Sequence, residues 1–213
     1  MLKIWGRLSS INVRKVVWCA QELGLAFQRT EAGGRFGIVQ TPDYRALNPN
    51  ALVPTIEDDD AAEAGHAFRL WESNVIVRYL CARHAPGSLY PEPLTARFDA
   101  ERWMDWQQTT LNPAGRPAFI QWFRTPAEQR NTEAVAQSVA AVEPLLAMLD
   151  VHLARQPFMA GDRMTMADIP IACDVHRWQA LPQARPERPQ LQRWFETMRS
   201  RPAARGVFDF ALN

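Results

Sequence analysis

Short alternating apolar runs occupy the first part of the chain, and longer helical patterns occupy the rest. Leu2 to Trp5 and Phe27 to Glu31 have the alternation of half-buried strands. Between them, the stretch from about Asn12 to Leu23 has helical spacing and is followed by Gly24, a residue type that often ends helices. A strand, helix, strand unit of this kind predicts two parallel strands joined by a right-handed crossover.

A second pair of strands is predicted further along the chain. Leu52 to Glu57 and Phe68 to Trp71 are β-prone runs, and the acidic segment from Asp58 to Asp60 predicts the turn between them. After the second run, Val75, Ile76, Tyr79 and Leu80 fall at helical spacing. We therefore expect an antiparallel hairpin followed directly by a helix.

The two ends of this hairpin carry groups that could bind a peptide-like ligand. Pro54 stands at the start of the first strand, where we expect a cis bond that turns the backbone of Val53 outward. Ser73 is expected to cap the following helix, whose free N–H groups favour a carboxylate, and Glu72 beside it could hold an ammonium group. An ordinary edge-strand proline and an ordinary cap are the alternative interpretation of these residues.

Three polar residues stand at the junction between the first strand and the first helix. We expect the loop hydroxyls and the helix N-terminus to point towards the same region, because the three residues, Ser9, Ser10 and Asn12, are close together in the sequence. Plain helix capping is the alternative explanation.

A proline-rich segment divides the chain after residue 83. Residues 84–94 contain prolines and a glycine that cannot continue a helix, so they predict a linker. After Thr95 the strand signals vanish and long helical patterns follow. We therefore predict an α/β domain over residues 1–83 and an all-α domain over residues 95–213.

Capping patterns mark helix starts in the second domain. Thr125 to Glu128 predicts the start of a helix that extends to about Arg155. Thr165 and Asp168 form a second capping box that opens a buried apolar helix, and Pro189 to Ser200 predicts a further helix.

Composition excludes several classes of protein. Hydrophobic residues make up 47% of the 213 residues, which is enough for a sizeable core. The 24 Lys and Arg residues balance 23 Asp and Glu residues, so no overall field attracts nucleic acid or an anionic membrane. No apolar run approaches the roughly 18 residues that span a bilayer, and the chain starts in a strand, so we expect a cytoplasmic protein.

Cys19, Cys81 and Cys173 are far apart in the sequence and predict buried free thiols without a metal.

Three separated motifs resemble the glutathione S-transferase family. They are LKIWGRLSSINVRKVVWCAQELGL at the start, VP followed later by ES, and FMAGDRMTMADIPIA. The motifs occur in the family's order and span the chain. The resemblance implies a thioredoxin-like glutathione-binding domain followed by an all-helical domain, which is the fold of the cytosolic glutathione transferases.

The resemblance also implies a reaction, namely activation of glutathione as a thiolate and its conjugation to small hydrophobic electrophiles. Ser10 resembles the serine of the plant-type and theta-like enzymes, and Ser9 and Asn12 remain alternatives. The region has no tyrosine or cysteine, which argues against the tyrosine- and cysteine-dependent classes. A glutathione-dependent peroxidase or disulfide reductase, a dehalogenase or isomerase, and a non-catalytic interaction or stress protein are the other functions that this fold implies.

Further site residues follow from the resemblance. The expected glutathione-binding residues are Leu52, Val53, Pro54, Glu72 and Ser73. Because Ala51 and Leu52 replace the residues usual in relatives, Arg35 or a partner-subunit side chain is expected to hold the glycyl carboxylate. Trp106 and Leu111 are expected to bind the acceptor, with a place in the core as the alternative for Trp106, and Thr165 and Asp168 are expected to be structural. A homodimer is expected through the third helix and the helix from about Thr95 to Thr110.

Overall fold

A computed structural model of the chain describes residues 1–63, 65–210 and 212, and the side chains of residues 62 and 63 are left out of the description. Its strands are β1 (Leu2–Trp5), β2 (Phe27–Thr30), β3 (Thr55–Glu63) and β4 (His66–Trp71). Three helices accompany these strands in the sequence: α1 (Ile11–Glu22), α2 (Pro42–Leu47) and α3 (Ser73–His84).

The strands form one mixed sheet in the order β2-β1-β3-β4. β1 is parallel to β2, as the first strand, helix, strand unit predicts, and β3 is antiparallel to both β1 and β4. α1 and α3 pack against each other and bury Val13, Val16, Ile76 and Leu80 in the core. This is the α/β layer predicted for the first part of the chain.

The predicted turn at Asp58 to Asp60 is wrong, because β3 continues through these residues to Glu63. Their charges are paired across the sheet and with α3, so the strand accommodates them. The Tyr79 hydroxyl donates to Asp58 over 2.7 Å, and the N-terminal ammonium lies 2.8 Å from Asp60.

The rest of the chain is helical. After α3 ends at His84, the helices are α4 (Leu94–Trp106), α5 (Asn112–Phe123), α6 (Thr132–Leu153), α7 (Asp168–Gln179) and α8 (Pro189–Arg199). A turn of π-helix, Gln107–Leu111, joins α4 to α5.

The predicted helix start at Thr125 is wrong. The Thr125 hydroxyl donates backwards to the Ile120 carbonyl, and residues 127–129 form a short 3-10 turn. α6 begins later because the Asn131 side chain accepts the Ala134 N–H over 3.0 Å and caps it.

By length and composition alone, α6 could cross a membrane, having 22 residues and a mean hydropathy of 1.5 in its most apolar window. It packs against α5 and α8, and its Asp150 carboxylate accepts the N–H groups of Gln190 and Leu191. Core helices of soluble proteins meet the same two criteria.

Asp168 ties the start of α7 to two neighbouring segments. Its carboxylate accepts the Thr165 N–H over 2.9 Å, the Met159 N–H over 3.0 Å and the Trp194 indole N–H over 2.9 Å. The Thr165 hydroxyl in turn accepts the Ala167 N–H over 3.3 Å. Both side chains are buried, and neither lines the cavity described below.

The three cysteines are buried free thiols, as predicted. Within residues 1–63, 65–210 and 212, no three His, Cys, Asp or Glu residues come together as a metal-binding group.

Candidate active site

A cavity of about 880 Å³ opens between the sheet layer and the helical part of the chain. One wall is formed by the β1–α1 loop, the loop after β2 and the segment before β3. The opposite wall is formed by the π turn and α5, and Arg177 of α7 also lines the cavity.

Ser9, Ser10 and Asn12 all line this cavity, at the N-terminus of α1. Ser10 is the N-cap residue, but its side chain makes no capping hydrogen bond, and within the described chain its hydroxyl has no partner. Ser9 is more deeply buried, and the buried Oδ1 of Asn12 is also without a described partner. The structure brings the three candidates together without selecting one.

Arg14, which the sequence did not single out, supports this loop from the first turn of α1. Its Nε donates to the Leu8 carbonyl over 2.8 Å, next to Ser9. Its Nη1 lies 3.2 Å from Nδ1 of His176 on α7, and its Nη2 donates to the Phe210 carbonyl over 2.6 Å. Burial, and next the Arg14 charge, lowers the pKa of His176 to about 4. Arg14 thus links the serine loop to the helical part.

Val53 offers unpaired backbone groups to the cavity. The Val53–Pro54 peptide is cis, as expected, and Val53 lines the cavity whereas Pro54 is buried behind it. No described residue pairs with the N–H or C=O of Val53. The neighbouring Leu52 carbonyl, in contrast, accepts from the Tyr44 hydroxyl over 2.7 Å and from Asn48 Nδ2 over 3.0 Å.

Glu72 and Ser73 lie at the start of α3 and do not line the cavity. The expected Ser73 cap is wrong by one residue, because α3 begins at Ser73 and Glu72 is the cap position, without a side-chain capping bond. Glu72 has a φ of +71°, a left-handed conformation that is costly for a residue with a Cβ. Its side chain is exposed and has no hydrogen-bond or ion-pair partner among the described residues.

Lys15, also not singled out from the sequence, is fully buried behind Ser73. Its ammonium donates to Asn74 Oδ1 over 3.1 Å, Gln107 Oε1 over 2.9 Å and Gln108 Oε1 over 3.1 Å, and reaches Ser73 Oγ at 3.5 Å. Burial lowers the pKa of Lys15 to about 8, and the nearby Asp174 opposes this shift. The ammonium therefore fixes the start of α3 to the π turn.

The π turn continues this polar network to the cavity wall. Gln107 donates to Asp174, whose other carboxylate oxygen is 2.5 Å from the Arg177 guanidinium. Arg177 also donates to Asn112 Oδ1 over 3.0 Å. π turns are frequent at functional sites, and this one points Gln107 into the interior while Gln108 reaches the cavity.

Arg35, expected to hold a carboxylate, does not line the cavity and instead stacks on the Phe36 ring at 4.8 Å from its centroid. Arg7, and not Arg35, is the arginine of this wall that lines the cavity. A Cβ on Gly33 would come 2.8 Å from Arg7 Nη1, and one on Gly34 would come 3.0 Å from Nε, so these glycines leave room for the guanidinium. No signal in the sequence pointed to Arg7, because Gly33 and Gly34 approach it only in the fold.

Trp106 and Leu111, expected to bind an acceptor, do not line the cavity either. Leu111 is in the core, and Trp106 packs edge to face on Trp103 with centroids 5.4 Å apart. These two apolar side chains pack against other residues of the helical part. The cavity face carries Gln108, Asn112, Pro113, Arg116, Pro117, Phe119, Ile120, Gln121 and Arg124.

Two family models match the chain, one in each part. Residues 9–83 match the model of the glutathione S-transferase N-terminal domain, and residues 109–202 match that of the C-terminal domain. The chain is 39% identical to the glutathione S-transferase GstB of Escherichia coli, over 97% of each chain. It is 32% identical to glutathione S-transferase 3 of Zea mays, over 95% of this chain and 90% of that protein.

A solved structure is similar throughout. The theta class glutathione S-transferase of Xanthomonas axonopodis pv. citri, crystallised with glutathione bound, superimposes with a TM-score of 0.93 and 44% identity. The match covers 100% of this chain and 99% of that one.

Proposed function

The chain belongs to the glutathione S-transferase family, and from that premise we propose that its cavity binds glutathione, holds it as the thiolate and conjugates it to a small electrophile. The observation that carries the proposal is the meeting of two features at one cavity. These features are the unpaired backbone of Val53 and the polar start of α1 at Ser9, Ser10 and Asn12.

The backbone of Val53 suits the central amide of an extended tripeptide. An unpaired N–H and C=O can form two hydrogen bonds with a peptide that lies antiparallel to this segment, as an added strand does. Such a peptide would run from α3 across Val53 towards α1.

Glu72 and Ser73 would hold the γ-glutamyl head at the cavity's outer end. The N-terminus of α3, with Lys15 buried behind it, favours the head's carboxylate. The exposed Glu72 carboxylate would pair with the ammonium group. The left-handed backbone at Glu72 fits this role, because strain of this kind is concentrated at functional sites.

Ser10 is our first choice for the group that stabilises the thiolate. Its hydroxyl is at the cavity and is free to donate to sulfur, and the N-terminus of α1 adds a favourable field. The thiol proton leaves to solvent. The sulfur then attacks the electrophilic carbon, and the leaving group departs with the bonding electron pair.

The glycyl carboxylate would be held by Arg7 in place of Arg35. Arg7 lines the cavity beside Gly33, Gly34 and Val53, on the wall along which the tripeptide would lie. A guanidinium binds a carboxylate through two parallel hydrogen bonds.

The proposal includes a homodimer, a cytoplasmic location and a boundary between the two domains in residues 84–94. For the dimer, Leu94 and Phe98 of α4 are 64% and 60% exposed, and Val75 of α3 is 42% exposed. Exposed apolar side chains on neighbouring helices suit a self-complementary interface. Recovery of the protein in the soluble fraction of fractionated cells would test the location.

Calorimetric titration of the protein with glutathione and with the dipeptide cysteinylglycine tests the binding mode. We expect glutathione to bind and the dipeptide, which lacks the γ-glutamyl head, to bind at least tenfold more weakly. Glu72→Ala should weaken glutathione binding by about 1.5 to 3 kcal/mol, the typical worth of a charge-assisted hydrogen bond.

Glu128→Ala is the matched control, because Glu128 is exposed and does not line the cavity. At about 100 times the dissociation constant, glutathione should stabilise the fold by about 2.7 kcal/mol. No binding at millimolar glutathione would overturn the proposal. Equal affinities of the parent and Glu72→Ala would overturn the assignment of the head group alone.

A further inference from the structure

The cavity wall is strongly cationic. Arg7, Arg116, Arg124 and Arg177 line it, and none of the lining residues that the structure describes is an aspartate or glutamate. The whole chain is nearly neutral, with 24 basic and 23 acidic residues, so this concentration of charge is local.

Three of these charges are not neutralised by the described chain. Arg177 is paired with Asp174. Arg7, Arg116 and Arg124, in contrast, have no salt bridge and no side-chain hydrogen bond to any residue in 1–63, 65–210 or 212. Arg124 stacks on the Phe119 ring, with its guanidinium carbon 5.0 Å from the ring centroid.

The guanidinium groups are near enough to affect one another. The pKa of Arg124 is lowered, first by burial and then by the positive charges of Arg7, Arg116 and Arg177. Like charges that share a cleft repel, and a bound anion relieves that repulsion. The cavity is thus arranged to receive negative charge.

The arginines fall on two walls. Arg7 is on the sheet side, against Gly33 and Gly34, where the proposed glutathione site already uses it. Arg116 and Arg124 come from α5 and its C-terminal end, on the opposite wall. They are eight residues apart, about two helical turns, and so share one face. Arg116 and Arg124 are therefore available to bind the other substrate, the acceptor.

We propose that the acceptor subsite takes a small electrophile that carries a carboxylate, held by Arg116 and Arg124, in place of the small hydrophobic electrophiles that the resemblance implies. The inference rests on the proposed glutathione site for its nucleophile. With a haloacetate, the thiolate sulfur forms a bond to the methylene carbon, the carbon–halogen bond breaks, and halide leaves with the electron pair. The reaction needs no oxidant or reductant.

The charge of the cavity wall predicts which kind of acceptor gains the larger rate enhancement. In water, the glutathione thiolate and an anionic acceptor repel each other, so the uncatalysed reaction of the anion is slowed. Arg116 and Arg124 would remove that repulsion inside the cavity. The rate enhancement over the uncatalysed reaction should therefore be larger for an anionic acceptor than for its neutral isostere.

Iodoacetate and iodoacetamide are suitable probes, because they share the leaving group and nearly the same shape and differ in charge. The quantity to measure is kcat/KM with saturating glutathione, divided by the uncatalysed rate constant for each acceptor. Side reactions with protein thiols are limited, because Cys19, Cys81 and Cys173 are at most 1% exposed.

We expect this normalised value to be about tenfold higher for iodoacetate than for iodoacetamide. Arg116→Gln and Arg124→Gln should each reduce the iodoacetate value by about threefold to tenfold and leave iodoacetamide turnover and the KM for glutathione nearly unchanged. Arg116→Lys, which keeps the positive charge, should retain more of the iodoacetate value than Arg116→Gln. Arg155→Gln removes the same charge from an exposed arginine outside the cavity and should change neither substrate's turnover.

A second measurement does not depend on reactive acceptors. Propionate should inhibit iodoacetate turnover competitively in the parent and much less in the variant with both Arg116→Gln and Arg124→Gln, whereas propionamide should inhibit neither. Added salt should lower the iodoacetate rate more than the iodoacetamide rate.

The failures are distinguishable. Equal normalised values for the two acceptors, unchanged by Arg116→Gln and Arg124→Gln, would overturn the anionic subsite while turnover itself supports the glutathione site. Absence of turnover with both acceptors, together with absence of glutathione binding, would overturn the proposed function and this inference with it.

Discussion

Replacing Asp168 by alanine is a demanding test of how the helical part is held together. The carboxylate is fully buried and accepts three N–H groups, from Met159, Thr165 and Trp194, at 2.9 to 3.0 Å. Alanine would leave all three donors buried without a partner. We therefore expect Asp168→Ala to destabilise the fold far more than loss of an ordinary helix cap.

The magnitude follows from the number of donors. Each unsatisfied buried donor costs about 1 to 3 kcal/mol, which gives about 3 to 9 kcal/mol for three. We expect the lower part of this range, about 3 to 5 kcal/mol. The reason is that burial raises the pKa of Asp168, so its ionised form already carries a desolvation cost that alanine removes. For a chain of this length the loss lowers the melting temperature by roughly 6 to 20 °C.

Urea denaturation followed by tryptophan fluorescence and by circular dichroism measures the free energy of unfolding, and agreement of the two probes checks two-state behaviour. Asp162→Ala is the matched control, because Asp162 is exposed in the same loop, and it should stay within about 0.5 kcal/mol of the parent. Glutathione affinity should be unchanged for both variants. A loss below about 1 kcal/mol for Asp168→Ala would refute the reasoning.

Three further predictions concern other parts of the molecule. The pKa of His176 is lowered to about 4, so the stability that its neutral form contributes is present above pH 6.5 and is lost as pH falls towards 4. In urea melts at a series of pH values, His176→Gln should therefore lose less unfolding free energy than the parent over this window. Equal slopes for the two proteins would contradict the prediction. Lys15→Met removes the donor to the oxygens of Asn74 and Gln108 and leaves Gln107 Oε1 with the Asn74 amide as its remaining donor, so it should cost about 2 to 4 kcal/mol of unfolding free energy, whereas an unchanged melting temperature would show that water replaces the ammonium. Phe98→Glu should turn a dimer into a monomer in sedimentation at micromolar concentration, while Met148→Glu on α6 should not; a monomeric parent would count against the dimer.

Local patterns accounted for the elements whose character is set by neighbouring residues. β1, α1 and β2 follow from alternation, helical spacing and a terminal glycine, and their observed bounds differ from the predicted ones by at most one residue. The length of β3 could not be predicted in this way. Its acidic residues form a strand because their partners, such as Lys3 and Tyr79, come from distant parts of the sequence.

The candidate site was predictable where it consists of short contiguous motifs, at Ser9 to Asn12 and at Val53. Arg14 and Lys15 were missed because a charged pair on an amphipathic helix has the pattern of a solvated face. Their partners, among them His176 and Gln107, are brought in only by the packing of the helical part.

The cavity wall on α5 was missed for a different reason. The expected acceptor contacts, Trp106 and Leu111, do not face the cavity, because Trp106 at the end of α4 packs on Trp103 and the π turn buries Leu111 in the core. The π turn leaves a face with arginines at positions 116 and 124. The turn depends on backbone geometry that no residue pattern in this segment indicated.

The central claim is that the start of α1 holds glutathione as a thiolate, and the ultraviolet thiolate absorbance of the protein–glutathione complex against pH tests it most directly. We expect a bound thiol pKa below the ordinary value of about 8.5. Ser10→Ala should raise this pKa by about one unit, because a lost hydrogen bond of roughly 1 to 2 kcal/mol corresponds to about that shift. Ser9→Ala and Asn12→Ala should leave it in place. A bound thiol that titrates like free glutathione would contradict the account, and a shift in Asn12→Ala alone would transfer the role to Asn12.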